Sequence, residues 1–329
     1  AFAVPVLALA IDALDRRSDR ALVAWSLVLL LVREDMGAVV LLLGALRALH
    51  RPRRVGVGLM VAGVAAFLVV TQLVIPAMSS SGTFVYWTFD ALGPDLPSSI
   101  RHLVTQPWDV ARAFVTPAVK VGTLALLMVP LSLLPLGSPY ALLALPLLAE
   151  RFLNSRERLW TTDFHYDAPI WIILTLAMVD AGGRWGVWRR PALRSVAIGW
   201  LIVSQVLLIA VGQSPLRRVV DGSAWRTTPH AQALAQAVAQ IPPGVCVAVD
   251  DRLAPHLTRT NRVTRPGVPA PTADYIAIDL TQPTVGHDKW PSVDVLRQAQ
   301  ADGYVTVWVS DGIHVLALPI VTQRPECQG

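Results

Sequence analysis

Long uncharged apolar runs fill residues 1–219 and predict helices of membrane length. Val55–Val74 is twenty residues without a charge, followed by Pro76. At 1.5 Å per residue that is about 30 Å, the thickness of a bilayer core. Ser195–Gly212 is nearly as long. Val121–Ala149 holds 29 uncharged residues, too many for one untilted span. Leu136-Gly137-Ser138-Pro139 predicts a tight turn that divides it into two shorter helices. Ala168–Val179 continues to Gly183 as a shorter span, and Phe2–Leu14 reads as the remnant of a first helix. With no initiator Met and an apolar start, the sequence is expected to be a fragment lacking its N-terminal part.

Ala21–Leu49 is apolar throughout except for Arg33-Glu34-Asp35 at its middle. As one helix it would be about 43 Å long, with three central charges that each cost roughly 2.5–3.5 kcal/mol on insertion. As two short helices, the charges sit at an apex where water or a protein cavity reaches them. Together these runs make about seven to eight membrane segments.

Charge then sets the topology. Arg47, Arg51, Arg53 and Arg54 form one basic cluster, and Arg184, Arg189, Arg190 and Arg194 form another. The positive-inside rule puts both in the cytoplasm. Loops 77–119 and 150–167 then face outward, as does everything after Gly212. Arg16, Arg17 and Arg20 prefer the inside too, which asks Ala21–Leu49 to cross twice and turns Arg33-Glu34-Asp35 outward.

Composition agrees with a lipid-exposed chain: of 329 residues 53% are hydrophobic and only 16% charged, against about 25% charged in soluble proteins. The net charge of +5 is an average over unlike parts. Residues 1–219 carry 20 basic and 13 acidic groups, whereas 220–329 carry 8 and 10. The expected organisation is a transmembrane helical domain over 1–219 and a small extracytoplasmic α/β domain over 220–329. The basic residues serve topology and are not gathered on a binding face, so nucleic acid is not an expected partner. Membrane lipid is, and protein partners are left open.

Chemistry, where present, belongs to the outer segments. Loop 77–119 carries Tyr86-Trp87, His102, Trp108 and Asp109. Pro107–Pro117 is expected to lie in the interface, with Trp108 and Phe114 toward lipid and Asp109 and Arg112 toward water. Segment 150–167 gathers Glu150, Arg151, Arg156, Glu157, Arg158, His165 and Tyr166. Charges of both signs beside a His-Tyr pair suit a phosphate and a proton: guanidinium binds two oxygens at once and imidazole titrates near neutrality. An interfacial belt of salt-bridged residues is the plainer alternative. Arg33-Glu34-Asp35 is the strongest internal signal, as catalytic group or as a structural pair fixing two helix ends. No zinc signature, Walker loop, GxSxG elbow or Rossmann fingerprint is present. No cofactor is called for, and a metal requirement stays open.

The tail alternates helix and strand. A helix is expected over 229–241, a strand at Val245–Val249 ending at Asp250-Asp251, and a short helix at Arg252–Leu257. A strand at 275–280, a helix at Ser292–Ala301 and a hairpin of Val305–Val309 with Ile313–Leu318 across Ser310-Asp311-Gly312 complete it. Asp250 ends a central strand, where open sheets place ligands, although capping the next helix explains it as well. Cys246 and Cys327 are the only cysteines, and a disulfide between them suits an outer compartment.

Leu31-Val32-Arg33-Glu34-Asp35-Met36-Gly37, Glu150-Arg151 before Phe164-His165-Tyr166, Ile241-Pro242-Pro243-Gly244, Arg252–Leu257 and Ala273–Asp279 together resemble a bacterial family of polytopic membrane proteins of unknown function. It is number two thousand and seventy-nine in the domain-of-unknown-function series. That family looks related to the GT-C glycosyltransferases, and the resemblance runs along essentially the whole chain. It implies a GT-C-like membrane domain in the bacterial plasma membrane. It also implies transfer of a sugar from a polyprenyl-phosphate donor to an envelope acceptor on the outer face. On that implication Glu34, Asp35 and His165 are candidate catalytic groups, and Arg33, Arg151, Tyr166 and Glu150 candidate substrate contacts. Family members usually carry their principal acidic residue in a first outer loop upstream of this sequence. A transporter or flippase, and a non-catalytic envelope scaffold, are the rival classes.

Overall fold

A computed structural model describes residues 2–79, 87–162, 164–212, 214, 216–268, 270–285 and 290–319. The chain forms two compact units, Ala1–Arg217 and Arg218–Gly329.

The first unit is helical. Helices α1 (Ala3–Asp15), α2 (Asp19–Leu30), α3 (Met36–Ala48) and α4 (Arg54–Val69) follow in order, and α4 runs on through a π turn at Val70–Val74 and a last turn at Ile75–Met78. Helices Leu96–Thr105, Pro107–Val115, Ala118–Met128, Leu145–Phe152, Ala168–Arg184 and Pro191–Ala210 complete it. Leu7, Leu22, Leu29, Leu43, Leu143, Phe152, Ile170 and Leu174 are fully enclosed and form one core.

Ala21–Leu49 is two helices. The chain breaks at Leu31–Asp35 and doubles back, because Arg47 near the end of α3 grips Asp19 at the start of α2. Its Nε lies 2.6 Å and its Nη2 3.0 Å from the two carboxylate oxygens. The pair closes the base of the hairpin and leaves Arg33-Glu34-Asp35 at its tip. Each arm is 12 or 13 residues, about 18–20 Å, shorter than a bilayer core.

Helices α3 and α4 meet along four glycines. A Cβ on Gly44 would stand 2.6 Å from the carbonyl oxygen of Gly56, and one on Gly63 2.5 Å from that of Gly37. Without side chains there, the two backbones touch, which is how helices associate where lipid removes the hydrophobic drive.

Two described helices, Arg54–Met78 and Pro191–Ala210, are long and apolar enough to cross a membrane. Pro107–Val115 and Ala118–Met128, bent by 71°, make a third span if counted together. That is fewer than the seven to eight segments expected. Part of the difference is length, since Ala3–Asp15, Asp19–Leu30, Met36–Ala48 and Ala168–Arg184 run only 12 to 17 residues. The rest arises in Val121–Ala149, which does not form two helices about a turn at 136–139. Its first helix stops at Met128, Ser132 and Leu133 adopt positive φ, and 3-10 turns occupy Leu134–Gly137 and Pro139–Ala144. Pro130, Pro135 and Pro139 explain this, since each removes a backbone donor and clashes with a helical turn before it, whereas Pro146 falls in the first turn of Leu145–Phe152, where proline is tolerated.

The second unit is a three-layer α/β sandwich. Strands β1 (Cys246–Val249), β2 (Arg262–Thr264), β3 (Tyr275–Asp279), β4 (Thr284–Val285), β5 (Trp290–Pro291), β6 (Val305–Ser310) and β7 (Ile313–Ala317) form a five-stranded sheet of order β2-β1-β3-β7-β6 and a small β4–β5 ladder. β1 pairs in parallel with β2 and β3, while β7 runs antiparallel to β3 and β6. Helix Pro229–Ala239 sends Ala233 and Ala237 onto one face, and helix Ser292–Ala301 sends Val295 and Ala299 onto the other. Asp311 and Gly312 both take positive φ between β6 and β7, the tight-hairpin geometry that Asp-Gly favours. The three-residue β2 and the β4–β5 ladder are too short to leave a periodic signal. Cys327 lies outside the described residues, and with it the pairing expected for Cys246.

Asp250 caps the turn that follows β1: its Oδ1 accepts from the backbone N–H groups of Arg252 at 3.0 Å and Leu253 at 3.3 Å. Its Oδ2 accepts from the N–H of Asp279 at 2.8 Å, locking β1 to β3. Beside it, His230 bridges two carboxylates, Nε2 to Asp279 at 2.9 Å and Nδ1 to Asp311 at 2.7 Å. Burial disfavours the imidazolium, but the hydrogen bonds and charges of Asp311 and Asp279 outweigh it and raise its pKa above the ordinary value. A raised folded-state pKa stabilises fully below the unfolded value of about 6.5 and is lost as pH rises through the folded value. Amide protection in β3 and the β6–β7 turn, corrected for intrinsic exchange, is therefore expected to fall as pH rises above about 6.5. In His230→Asn it should be flat.

Candidate functional site

The tip of the α2–α3 hairpin meets the end of helix Leu145–Phe152. Arg33 grips Asp35 with one edge of its guanidinium, Nε to Oδ1 at 2.9 Å and Nη2 to Oδ2 at 2.5 Å. The local reason is the break itself: residues 31–35 form turns in place of a continuous helix, so a side chain can reach two positions along the chain. Glu150, beyond the uncharged run 121–149, puts Oε2 3.7 Å from the same Nη2. That is an ion pair without a hydrogen bond. Arg33 is 41% exposed at its side chain, whereas Asp35 is 11% and Glu150 34%. Among the described residues, Nη1 of Arg33 has no partner and the Glu150 carboxyl has no hydrogen-bond donor.

Electrostatics follow from this crowding. Burial pushes the Glu150 carboxyl up to about 7, against the pull of Arg33, and Asp35 and Glu34 push in the same direction as burial. Burial raises Asp35 as well, although Arg33 opposes it. With Arg151 neutralised elsewhere, three carboxylates share one guanidinium. The site can hold an anion at the free edge of Arg33, and it has a carboxyl that takes or gives a proton near neutral pH.

Arg151, adjacent in sequence, is placed differently. It is 2% exposed; Nε donates to the Leu159 carbonyl at 2.8 Å, Nη2 donates to the Thr161 carbonyl at 2.7 Å, and Nη1 pairs with Asp167. It braces segment 153–167 against the helix that carries Glu150. His165 is exposed and Tyr166 half-buried, with their rings 4.8 Å apart. Among the described residues no hydrogen bond or ion pair joins either to Arg33, Asp35 or Glu150. Asp163 lies outside the described residues.

Two features escaped the sequence reading. Lys120 is 4% exposed and donates from Nζ to the carbonyls of Ala113 at 2.7 Å and Phe152 at 2.6 Å, 4.2 Å above the Trp160 ring. It joins three segments around the end of the Glu150 helix. Its signal was its rarity, one of two lysines among 28 basic residues. The outer segments are also tied together: Ser155 N–H donates to the Thr88 carbonyl at 2.7 Å, and Thr88 Oγ1 lies 3.0 Å from Asn154 Oδ1. Residues 80–86, with Tyr86, lie outside the described residues.

The interfacial expectation for Pro107–Pro117 needs one correction. The helix forms over Pro107–Val115 and Trp108 is 84% exposed, but Phe114 faces the protein. It is half-buried and packs edge-on against Phe152 at 5.2 Å. Among the described residues no group of three or more His, Cys, Asp or Glu side chains is arranged to hold a metal ion. A shallow open depression lined by Arg51, Pro52, Arg53 and Arg54 lies in the basic turn between α3 and α4, with no carboxylate among its lining residues.

A family model described as "Predicted membrane protein (DUF2079)" matches residues 1–315, and the chain belongs to that family. No curated protein and no solved structure matches it.

Proposed function

We propose that this member of a family of membrane proteins is a GT-C-like glycosyltransferase of the bacterial plasma membrane. It uses a polyprenyl-phosphate sugar on the outer face, where the second unit also lies. The observation that carries the reading is the meeting of Arg33, Asp35 and Glu150 at the ends of apolar helices. A cation there suits a lipid-borne phosphate, and carboxylates beside it suit a hydroxyl acceptor.

In this reading an acceptor hydroxyl oxygen attacks the anomeric carbon in line and the bond from that carbon to the phosphate oxygen breaks. The hydroxyl proton passes to a carboxylate, with Glu34 or Asp35 orienting the acceptor or taking the proton. Arg33 stabilises the charge gathering on the departing phosphate. Arg151 and Tyr166 act through position, Arg151 by bracing the Glu150 helix. His165, exposed on the same outer segment, keeps the catalytic role the family resemblance implies only if substrate bridges it to the hairpin tip. The three carboxylates around one guanidinium also favour a second reading, a cation or lipid transporter that uses the same charges along a path.

Purified full chain in nanodiscs, given polyprenyl-phosphate sugars of several kinds, is expected to bind at least one and transfer or hydrolyse its sugar. Arg33→Ala should weaken binding about tenfold, as loss of one charge-assisted contact does. Absence of binding and turnover with every donor, together with cation-dependent current or lipid scrambling in liposomes, would replace the enzyme by the transporter.

A further inference from the structure

Anion binding at the hairpin tip has an electrostatic obstacle. Glu34, Asp35 and Glu150 surround Arg33, so with all three ionised an arriving phosphate meets a net negative cluster. Asp35 is committed to the fork of Arg33. Glu150 is not: it stands 3.7 Å away, two-thirds covered, with no donor of its own among the described residues. Neutralising Glu150 removes one repelling charge and creates an O–H donor at the free edge of Arg33.

We propose that a phosphodiester enters this site only together with a proton on Glu150, whose O–H then donates to a phosphate oxygen beside Arg33 Nη1. The inference rests on reading the tip as a phosphate site. It adds the coupling of that anion's binding to a proton on Glu150, and so to pH. The carboxyl that titrates near neutral pH supplies the proton in the accessible range.

Other charges around Glu150 leave it in this role. Arg151, on the same helix, is paired with Asp167, and Lys120, at the end of that helix, donates to the Ala113 and Phe152 carbonyls and sits over the Trp160 ring. Among the elements packed on that helix, Arg47 is paired with Asp19 and Asp180 with Arg184. Tyr140 is hydrogen-bonded to Asp15. Asp109 and Arg112 on Pro107–Val115 bring one charge of each sign.

The test uses full chain in nanodiscs and two probes, a glucosyl phosphoprenol and methyl glucosyl phosphate. Both are diesters, so their own charge is constant between pH 6 and pH 8. If only the protonated protein binds, the apparent Kd scales inversely with the protonated fraction. With a midpoint near 7, Kd should rise about tenfold from pH 6 to pH 8. Glu150→Gln should hold the pH 6 affinity at both pH values. Calorimetry of wild type in two buffers of different ionisation enthalpy should register proton uptake at pH 7.5, a readout that needs no variant. Binding of both probes marks the phosphate as the recognised group, and binding of the prenyl probe alone shows that the phosphate must be carried on a lipid chain; the coupling is expected in either case. A Kd independent of pH, no proton uptake, or a Glu150→Gln variant that keeps the wild-type dependence overturns the inference while leaving the phosphate site standing. Failure of both probes to bind at any pH removes the phosphate site itself, and the inference with it.

Discussion

Arg151→Met is expected to cost about 3–5 kcal/mol of stability, the loss typical of stripping one partner from a buried ion pair. Methionine keeps much of the volume, so the effect is not a cavity. What is lost is the compensation of Asp167, whose side chain is 8% exposed, and of the Leu159 and Thr161 carbonyls that the guanidinium satisfies. A thermal unfolding series in detergent checks this, with Asp167→Asn added on top. If the uncompensated charge dominates, the double variant recovers part of the loss, a coupling that non-additivity reveals. Arg16→Met supplies the contrast. Its pair with Asp12 is 73% and 48% exposed, and its removal should cost under about 1 kcal/mol.

The second large effect lies between α3 and α4. Gly44→Ala and Gly63→Ala are each expected to destabilise by about 1–3 kcal/mol, the usual cost of forcing an extra carbon into a closed interface. The obstructing atoms are backbone: the Gly56 carbonyl for one and the Gly37 carbonyl and Leu41 N–H for the other. No rotamer change relieves them, so the helices must separate. Gly58, also on α4, has nothing within 4 Å of an added Cβ. Gly58→Ala should be neutral or gain up to about 1 kcal/mol from helix propensity. Opposite signs on one helix, read by the same unfolding midpoints, separate packing from propensity.

How far the sequence carries this picture depends on the range of the interaction concerned. Val55–Val74 and Ser195–Gly212 are legible because span length and absence of charge are local properties, and both are helices. The hairpin in Ala21–Leu49 is legible because three charges in mid-segment are too costly to leave in lipid. The α/β alternation of the tail reads almost residue by residue for the same reason. Ser292–Ala301 shows helical periodicity, and Asp311-Gly312 fixes its own turn.

Misreadings begin where a run is uniformly apolar. Residues 129–144 carry no charge to set a boundary, so the prolines decide it, and the helix ends at Met128. Glu150 and Arg33 are each legible as a charge stranded at an apolar edge, yet nothing in either segment says that they meet. Arg151 illustrates the same limit from the other side. By residue type it resembles a phosphate ligand, and only the path of 153–167 shows that its hydrogen bonds go to Leu159, Thr161 and Asp167.

The central claim, that the hairpin tip receives a lipid-borne phosphate, is tested most directly by cryo-electron microscopy of the full chain in nanodiscs with a polyprenyl-phosphate sugar bound. The account predicts phosphate density within hydrogen-bond distance of Arg33, between it and Glu150. Phosphate density at Arg51, Arg53 and Arg54 with an empty hairpin tip would contradict it.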